Sequence, residues 1–398
     1  MTVANPKSKS VLVVCDSYPP VLGGSEIEAQ RVCAGLRKGG HDARVICSGP
    51  PVMPAVTHWT DPYGTPVQIV GRGLQDRLRM YAFAMEVARV IRRDAKRLDV
   101  VYFLMQGLHL ATGMLAARSA RVPFVMKFSG SSIISGLTQS ALGRWELQKL
   151  QQWAHRVMVL NEGMMQEAIA AGFRREQLLW MPNPVDTDEY APMSAEQRSR
   201  LRAERKIPPD AAVILFVGRL APEKELPSLI RGFAKLRHDR KAVLVLIGDG
   251  PEKERLIQLA REEQLNDQEI VFTGRLNTTE VCYWLQASDL FALVSSNEGF
   301  SCSLLEAMSV GLPSVVSDIS ANRQLIEDGQ TGFLTKVGDS GEIAESLRNL
   351  VDSDLTRSGM GTSARLLVQQ NYSTEKILER YEQLFEEAIL SAHPTSSR

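Results

Sequence analysis

The sequence predicts an α/β protein made of two doubly wound domains, each a parallel sheet with helices on both faces, with a ligand cleft between them. Three observations carry this. Short buried apolar runs alternate with amphipathic helical runs from Val11 to Met181. A second alternation of the same kind begins at Val213, after the turn-forming segment Pro182-Asn183-Pro184-Val185-Asp186. The length, 398 residues, is too great for one ordinary core and suits two or three domains. The predicted division is residues 1–190, 191–373 and a C-terminal helix within 374–398.

Taken in order, Val11-Leu12-Val13-Val14-Cys15 reads as a buried strand, and Ser25 to Lys38 as a helix with Ile27, Val32, Ala34 and Leu36 at apolar positions. Gly39-Gly40 stops that helix, and Ala43 to Cys47 is the next strand. Residues 49–66, with prolines at 50, 51, 54, 62 and 66, read as a loop. Strands follow at Val67 to Val70, Val100 to Leu104, Pro123 to Lys127, Val157 to Leu160 and Leu178 to Met181. Helices are predicted at Leu74 to Lys96, His109 to Ala120, Leu142 to Ala154 and Glu162 to Ala171, with a Ser/Gly-rich segment from Ser129 to Gly136.

The second half opens on a charged surface helix, Ala195 to Lys206. Strands at Val213 to Val217, Val243 to Ile247, Ile270 to Thr273, Leu290 to Val294 and Ser314 to Ser317 then alternate with helices. The last helix, Thr374 to Leu390, carries Ile377, Leu378, Tyr381, Leu384, Phe385 and Ile389 on one stripe. Periodicity does not say which domain that stripe packs on. Residues 391–398 read as a frayed tail.

Forty-six basic and 46 acidic residues give zero formal net charge, which speaks against a nucleic-acid binder held by a broad basic field. Cys15, Cys33, Cys47, Cys282 and Cys302 are an odd number without metal-ligand spacing, so neither a disulfide framework nor a metal site is predicted. Val11 to Cys15 is too short for a signal segment. The expectation is a cytoplasmic protein. The helix Leu74 to Lys96 is rich in arginine, with Arg72, Arg77, Arg79, Arg89, Arg92, Arg93 and Arg97 in or beside it. Peripheral contact with the inner membrane face is one reading of it; a solvated face, interrupted by Asp76, Glu86 and Asp94, is the other.

Candidate chemistry gathers at strand ends, where open α/β sheets bind ligands. Gly218-Arg219 ends a strand and Lys224 follows on the loop before Pro227. An Arg and a Lys there can hold a diphosphate, or be two solvated cations. Gly248-Asp249-Gly250 and Gly274-Arg275 follow the next two strands; such glycines let a ligand approach the backbone, or serve ordinary turns. Glu298 and Glu306 flank the start of a helix. Glu298 can accept two sugar hydroxyls. For Glu306 the pattern Ser303-Leu304-Leu305-Glu306 also fits a capping box. Gly23-Gly24-Ser25-Glu26 opens the first helix, where backbone N–H groups can face an anion. His109 is the histidine best placed for a cleft, though a lone histidine there is more often structural than catalytic.

These residues together resemble the retaining, nucleotide-sugar-dependent glycosyltransferases of family 4, which have the GT-B fold. The marks are Gly218-Arg219 with Lys224, Gly248-Asp249-Gly250-Pro251, Phe272-Thr273-Gly274, and Glu298-Gly299-Phe300 with Glu306 in a Glu-x7-Glu spacing. The resemblance implies that Arg219 and Lys224 bind the donor diphosphate and stabilise the leaving group without a metal ion or other cofactor. It implies that Glu298 holds the transferred sugar, and Glu306 the ribose. The backbone of Phe300, Ser301, Cys302 and Ser303 would face the sugar or phosphate. Gly24, Gly218, Gly250, Gly274 and Arg275 would line the donor, a UDP-sugar by family habit. The last helix would cross back to the first domain.

The chain departs from the family on the sugar and acceptor side. Lys127-Phe128-Ser129-Gly130 stands where a histidine is common, which makes Lys127, Ser129 and His109 the candidates there, and Glu225 replaces the glycine that usually follows the lysine. The resulting expectation is sugar transfer from a nucleoside diphosphate donor to a sugar, glycan or lipid-linked acceptor hydroxyl, with retention. The rivals are a nucleotide-sugar epimerase or a phosphorylase on the same fold, and a nucleotide-sugar-binding protein that has lost catalysis.

Overall fold

The computed structural model describes residues 8–19, 23–49, 56–71, 74–104, 106–130, 133–237 and 240–392. Arg72 and the tail from 393 lie outside them. The first stretch runs β1 (Ser10–Cys15), α1 (Gly24–Lys38), β2 (Asp42–Ser48), β3 (Val56–Thr60), β4 (Pro66–Val70), α2 (Asp76–Asp94), β5 (Val100–Leu104) and α3 (Leu108–Ala120). It continues with β6 (Phe124–Lys127), α4 (Ile133–Thr138), α5 (Ala141–Trp153), β7 (Val157–Val159), α6 (Glu162–Ala170) and β8 (Leu178–Trp180). The next runs α7 (Ala195–Glu204), β9 (Ala212–Val217), α8 (Leu226–Arg237), β10 (Ala242–Ile247), α9 (Lys253–Glu262), β11 (Ile270–Gly274) and α10 (Thr278–Ala287). Then come β12 (Leu290–Leu293), α11 (Cys302–Val310), β13 (Ser314–Ser317), β14 (Gly332–Thr335), α12 (Ser340–Val351) and α13 (Asp354–Asn371). The last element is α14 (Thr374–Ala392). Met1–Pro184 and Thr374–Arg398 form unit 1, and Val185–Ser373 forms unit 2.

Unit 1 holds an eight-stranded sheet in the order β3-β4-β2-β1-β5-β6-β7-β8. Its pairings are parallel except β3 with β4. β1 and β5 lie in the middle and are buried on both faces, which is why they read as unbroken apolar runs. Strand β3 falls where the prolines predict only a loop. Its Val-Thr-His-Trp-Thr sequence is strand-forming, and the prolines at 62 and 66 sit in the hairpin turn and at the first position of β4, where the register Thr60↔Pro66 closes the pair. Asp61 organises that turn: its Oδ1 accepts from the amides of Tyr63 (3.0 Å) and Thr65 (2.7 Å), while the Tyr18 hydroxyl donates to Oδ2 at 2.8 Å. A short helix, α4, also begins within the Ser/Gly-rich segment Ser129 to Gly136 and runs on to Thr138.

Helix α14 packs into the core of unit 1. Ile377, Tyr381, Leu384, Phe385 and Ala388 join Val13, Val32, Leu36, Tyr102 and their neighbours in one apolar cluster. A side chain at Gly35 would meet Leu378 Cδ1 at 2.0 Å, so glycine here leaves the room that Leu378 of α14 occupies against α1. Beneath the contact is a buried polar network. The Lys127 ammonium pairs with Glu28 Oε1, both side chains fully buried, and donates to Asn183 Oδ1 at 2.9 Å. The same Glu28 oxygen accepts from Tyr381 (2.6 Å) and Tyr102 (3.2 Å). Burial and the Glu28 charge hold both phenols well above their ordinary pKa of 10. Lys127, a candidate for the sugar side, therefore spends its charge inside unit 1 and presents none of it to solvent.

Unit 2 holds a six-stranded, fully parallel sheet in the order β11-β10-β9-β12-β13-β14. Numbered from its own first strand this is 3-2-1-4-5-6, with the reversal of direction between β9 and β12. The outermost strand, β14, had no counterpart among the predicted elements; Gly332-Phe333-Leu334-Thr335 is short and only partly apolar.

Two stability predictions follow from unit 1. Lys127→Met leaves the Glu28 carboxylate buried without its cation and should cost about 3 to 5 kcal/mol in denaturant unfolding, with Lys127→Met/Glu28→Gln recovering a large part. Glu146 on α5 is 1% exposed, and burial pushes its pKa from 4.5 up to about 7. The folded chain then keeps a proton that the unfolded chain releases, so its contribution is full below 4.5 and is lost as pH rises to about 7. Glu146→Gln should flatten the melting-temperature profile across that window; an unchanged slope would contradict the assignment.

Candidate functional site

The strand order of unit 2 brings the ends of β9 and β12 side by side, and Gly218, Arg219, Lys224, Glu298, Phe300 and Ser301 lie on the loops that leave them. After β9 the chain passes Gly218 and Arg219 into a 3-10 turn, Pro222–Lys224, before α8. After β12 it passes Ser295 and Glu298 before α11. Across this gap the Lys224 ammonium donates to Glu298 Oε1 at 2.6 Å, with the two side chains 16% and 10% exposed. Ser295 Oγ donates to the same oxygen at 2.7 Å. Ser296 fastens the loops by donating its amide to the Glu223 carbonyl at 2.9 Å.

The support continues inward. The Ser317 hydroxyl donates to the Ser295 carbonyl, and Asn322 Nδ2 donates to the Ser317 carbonyl at 2.8 Å. Ser295, Ser317 and Asn322 are fully buried, so a chain of hydrogen bonds runs from the end of β13 to the carboxylate of Glu298. None of the three stood out in the sequence. For Ser295 and Ser317 the signal was a hydroxyl at the carboxyl end of an apolar strand; Asn322, an amide in the turn after β13, carried none.

Arg219 stands beside this pair but is used differently. Its guanidinium donates to Glu223 at 2.5 Å and remains 65% exposed, so it is a surface contact that a ligand can replace at small cost. Glu225 follows the turn with φ 50° and ψ 30°, a left-handed conformation that explains why glycine is the easier residue at this point.

Gly248 and Gly250 have a packing reason of their own. A side chain on Gly248 (φ +141°) would lie 1.8 Å from the Gly218 carbonyl oxygen, and one on Gly250 would lie 2.2 Å from that of Leu220. These glycines let the loop after β10 lock onto the loop after β9, with Leu220 donating to the Asp249 carbonyl at 3.0 Å. Gly274 has φ +74° with open space beside it, and Arg275 after it is exposed.

Helix α11 starts two positions earlier than the capping-box pattern predicts. Its cap is Ser301, whose Oγ accepts from the Leu304 amide at 3.2 Å. Ser303 and Cys302 therefore lie inside the first turn, and Glu306 falls in the second turn, two residues beyond the position from which a box carboxylate reaches back. Glu306 is 5% exposed, a buried carboxylate rather than a surface cap. The Phe300 ring is turned inward onto Tyr372, 6.2 Å between centroids, which leaves its backbone as the part able to meet a ligand.

In unit 1 the strand order reverses direction between β1 and β5, and a second polar group sits there. His109 Nδ1 lies 3.4 Å from Asp16 Oδ1, and Phe83 packs on the imidazole at 5.0 Å. Burial raises the pKa of Asp16, His109 draws it back and Glu26 raises it further. The Glu26 carboxylate folds over the start of α1, accepting from Ser17 and from Ser25 Oγ at 2.9 Å, so that a side chain on Gly23 would strike it at 2.3 Å. Gly24 is the first residue of α1 beneath it. Ser129 follows β6, and its hydroxyl is buried without a hydrogen-bond partner among the described residues.

Relief of the left-handed strain is testable on its own. Glu225→Gly should raise unfolding free energy by about 1 kcal/mol in thermal melts, and a loss of stability would refute the conformational reading.

Comparison with known proteins bears on the family and the fold. The pattern of Glycosyl transferases group 1 matches residues 197–367, and that of the Glycosyl transferase 4-like domain matches 23–184. N-acetyl-alpha-D-glucosaminyl L-malate synthase of Bacillus anthracis is 24% identical over 377 residues, spanning 93% of this chain and 95% of that one. GDP-mannose-dependent alpha-mannosyltransferase of Mycobacterium tuberculosis is 29% identical over 336 residues, 83% and 84% of the two chains. The crystal structure of Anabaena HepE in complex with UDP and glucose superposes with a TM-score of 0.78 at 22% identity, covering 95% of this chain and 99% of that one. The chain belongs to the group 1 glycosyltransferases of the family 4 type, with the GT-B fold.

Proposed function

We propose that the protein transfers a sugar from a nucleoside diphosphate sugar to an acceptor hydroxyl with retention of configuration. The single observation that carries this is the Lys224–Glu298 pair at the reversal point of the unit 2 sheet, with the exposed Arg219 guanidinium beside it. A cation pair at a strand end suits a diphosphate: Lys224 as a point charge with donors to spare, Arg219 as a planar fork. Both would draw the charge that develops on the departing phosphate, the work a metal ion does elsewhere, so the reaction would proceed without metal or other cofactor. Glu298 would accept sugar hydroxyls through Oε2 while Oε1 stays with Lys224 and Ser295. Glu306 would take the ribose hydroxyls.

The sugar would lie near the first turn of α11, whose backbone from Phe300 to Ser303 favours negative charge. Gly24, Gly218, Gly250, Gly274 and Arg275 are the remaining donor contacts in this reading, and His109 and Ser129 the sugar or acceptor side. Uridine is the proposed base, as in the UDP complex of Anabaena HepE, although the mycobacterial relative is named for GDP-mannose. The acceptor would be a sugar, a glycan or a lipid-linked sugar. A cytoplasmic setting fits five free thiols, Cys15, Cys33, Cys47, Cys282 and Cys302.

The test is a donor panel read as nucleotide release. Lys224→Ala and Arg219→Ala should each lower turnover by about a hundredfold or more with melting temperatures kept, and turnover should survive a chelator. Either variant turning over like wild type would sink the assignment. Binding of a donor with no release to any acceptor would identify a non-catalytic binder instead.

A further inference from the structure

We propose that the outward face of α2 docks on an anionic lipid surface. The sequence left this helix between a membrane-lying and a solvated reading, because Asp76, Glu86 and Asp94 interrupt its arginines. The fold removes most of that objection. At about 100° per residue, Leu78, Tyr81, Met85, Arg89, Arg92 and Lys96 fall within one stripe roughly 80° wide, and none of the three acids shares it. All six stripe residues are exposed. Glu86 and Asp94 are turned aside, 16% and 13% exposed, and engaged by Gln68, Arg89, Arg44 and Arg93. Asp76 remains exposed and bonds to Arg79 on another face.

Leu78, Tyr81 and Met85 stand 58%, 56% and 66% exposed, a costly arrangement for three successive turns of a helix in water. The next turns along the same stripe carry cations, and Arg92 and Lys96 form no ion pair among the described residues. Apolar side chains that can enter an acyl boundary, continued by long cationic side chains that can reach lipid phosphates, are the two elements of an interfacial helix. Among the described residues no helix is long and apolar enough to cross a membrane, so the contact would be a lying one. An acidic protein would satisfy the cations but leaves the apolar half of the stripe unexplained. The inference rests on α2 alone and stands or falls separately from the donor chemistry.

Co-sedimentation with vesicles tests it, using phosphatidylcholine alone and phosphatidylcholine mixed with phosphatidylglycerol. The full chain should sediment only with the anionic vesicles, less so as salt is raised. R89E/R92E/K96E should weaken this by roughly a hundredfold. L78S/Y81S/M85S should keep a weak, salt-sensitive association and lose the part that survives high salt. Melting temperature and nucleotide release in solution should match wild type in both variants, because no stripe residue belongs to the donor machinery. No sedimentation of the wild type with anionic vesicles, or equal sedimentation of both variants, would overturn the proposal. Capture of an acidic protein that the charge variant abolishes, with vesicles left unbound, would reassign the face to a protein partner.

Discussion

The site in unit 2 depends on one ion pair between two adjacent strand ends. Lys224 and Glu298 are 74 residues apart in sequence and meet because the strand order places β9 beside β12. Neither side chain is free in water, so the pair keeps its geometry only if its surroundings hold it. Ser295, Ser317 and Asn322 do so from beneath, and the Ser296–Glu223 contact does so from the side. An anion arriving at Lys224 would meet an ammonium already ordered by Glu298, which lowers the ordering cost of binding.

The close approach of the neighbouring loops has the same origin. Gly248 and Gly250 are glycines because carbonyl oxygens of Gly218 and Leu220 occupy the space a side chain would need. Glu225, by contrast, accepts a left-handed backbone without being glycine, and so stores a small strain beside the lysine. A site-adjacent residue under such strain is a place where stability and geometry are traded against each other.

Unit 1 uses a buried charge pair for a different purpose. Lys127 and Glu28 are fully desolvated; Lys127 also donates to Asn183, and Glu28 Oε1 accepts from Tyr102 and Tyr381 as well. This network joins α1, β6, the segment just before Pro184 and α14, so it specifies how the returning helix seats in its core. The sequence offered Lys127 as an available cation at a strand end. Its length allowed it to turn inward, and a buried glutamate on α1 was there to receive it.

What the sequence determined by itself were the features set by local pattern: the strand and helix alternation, the positions of glycines at strand ends, and the presence of cations and carboxylates on the loops that the proposed donor site would use. The strand Val56–Thr60 was hidden because proline content describes a neighbourhood and not the five residues inside it. The capping residue of α11 was displaced by two because several serines satisfy the same pattern, and only backbone geometry selects Ser301. Three further matters were decided by tertiary structure. It fixed which cations are buried and which are exposed, since Lys127, Lys224 and Arg219 look alike as strand-end charges. It joined Ser317 and Asn322 to Glu298, because hydrogen bonds across a parallel sheet link residues with no sequence relation. It also turned the acids of α2 away from its outward stripe, since a helix face acquires meaning only when the opposite face has something to pack on.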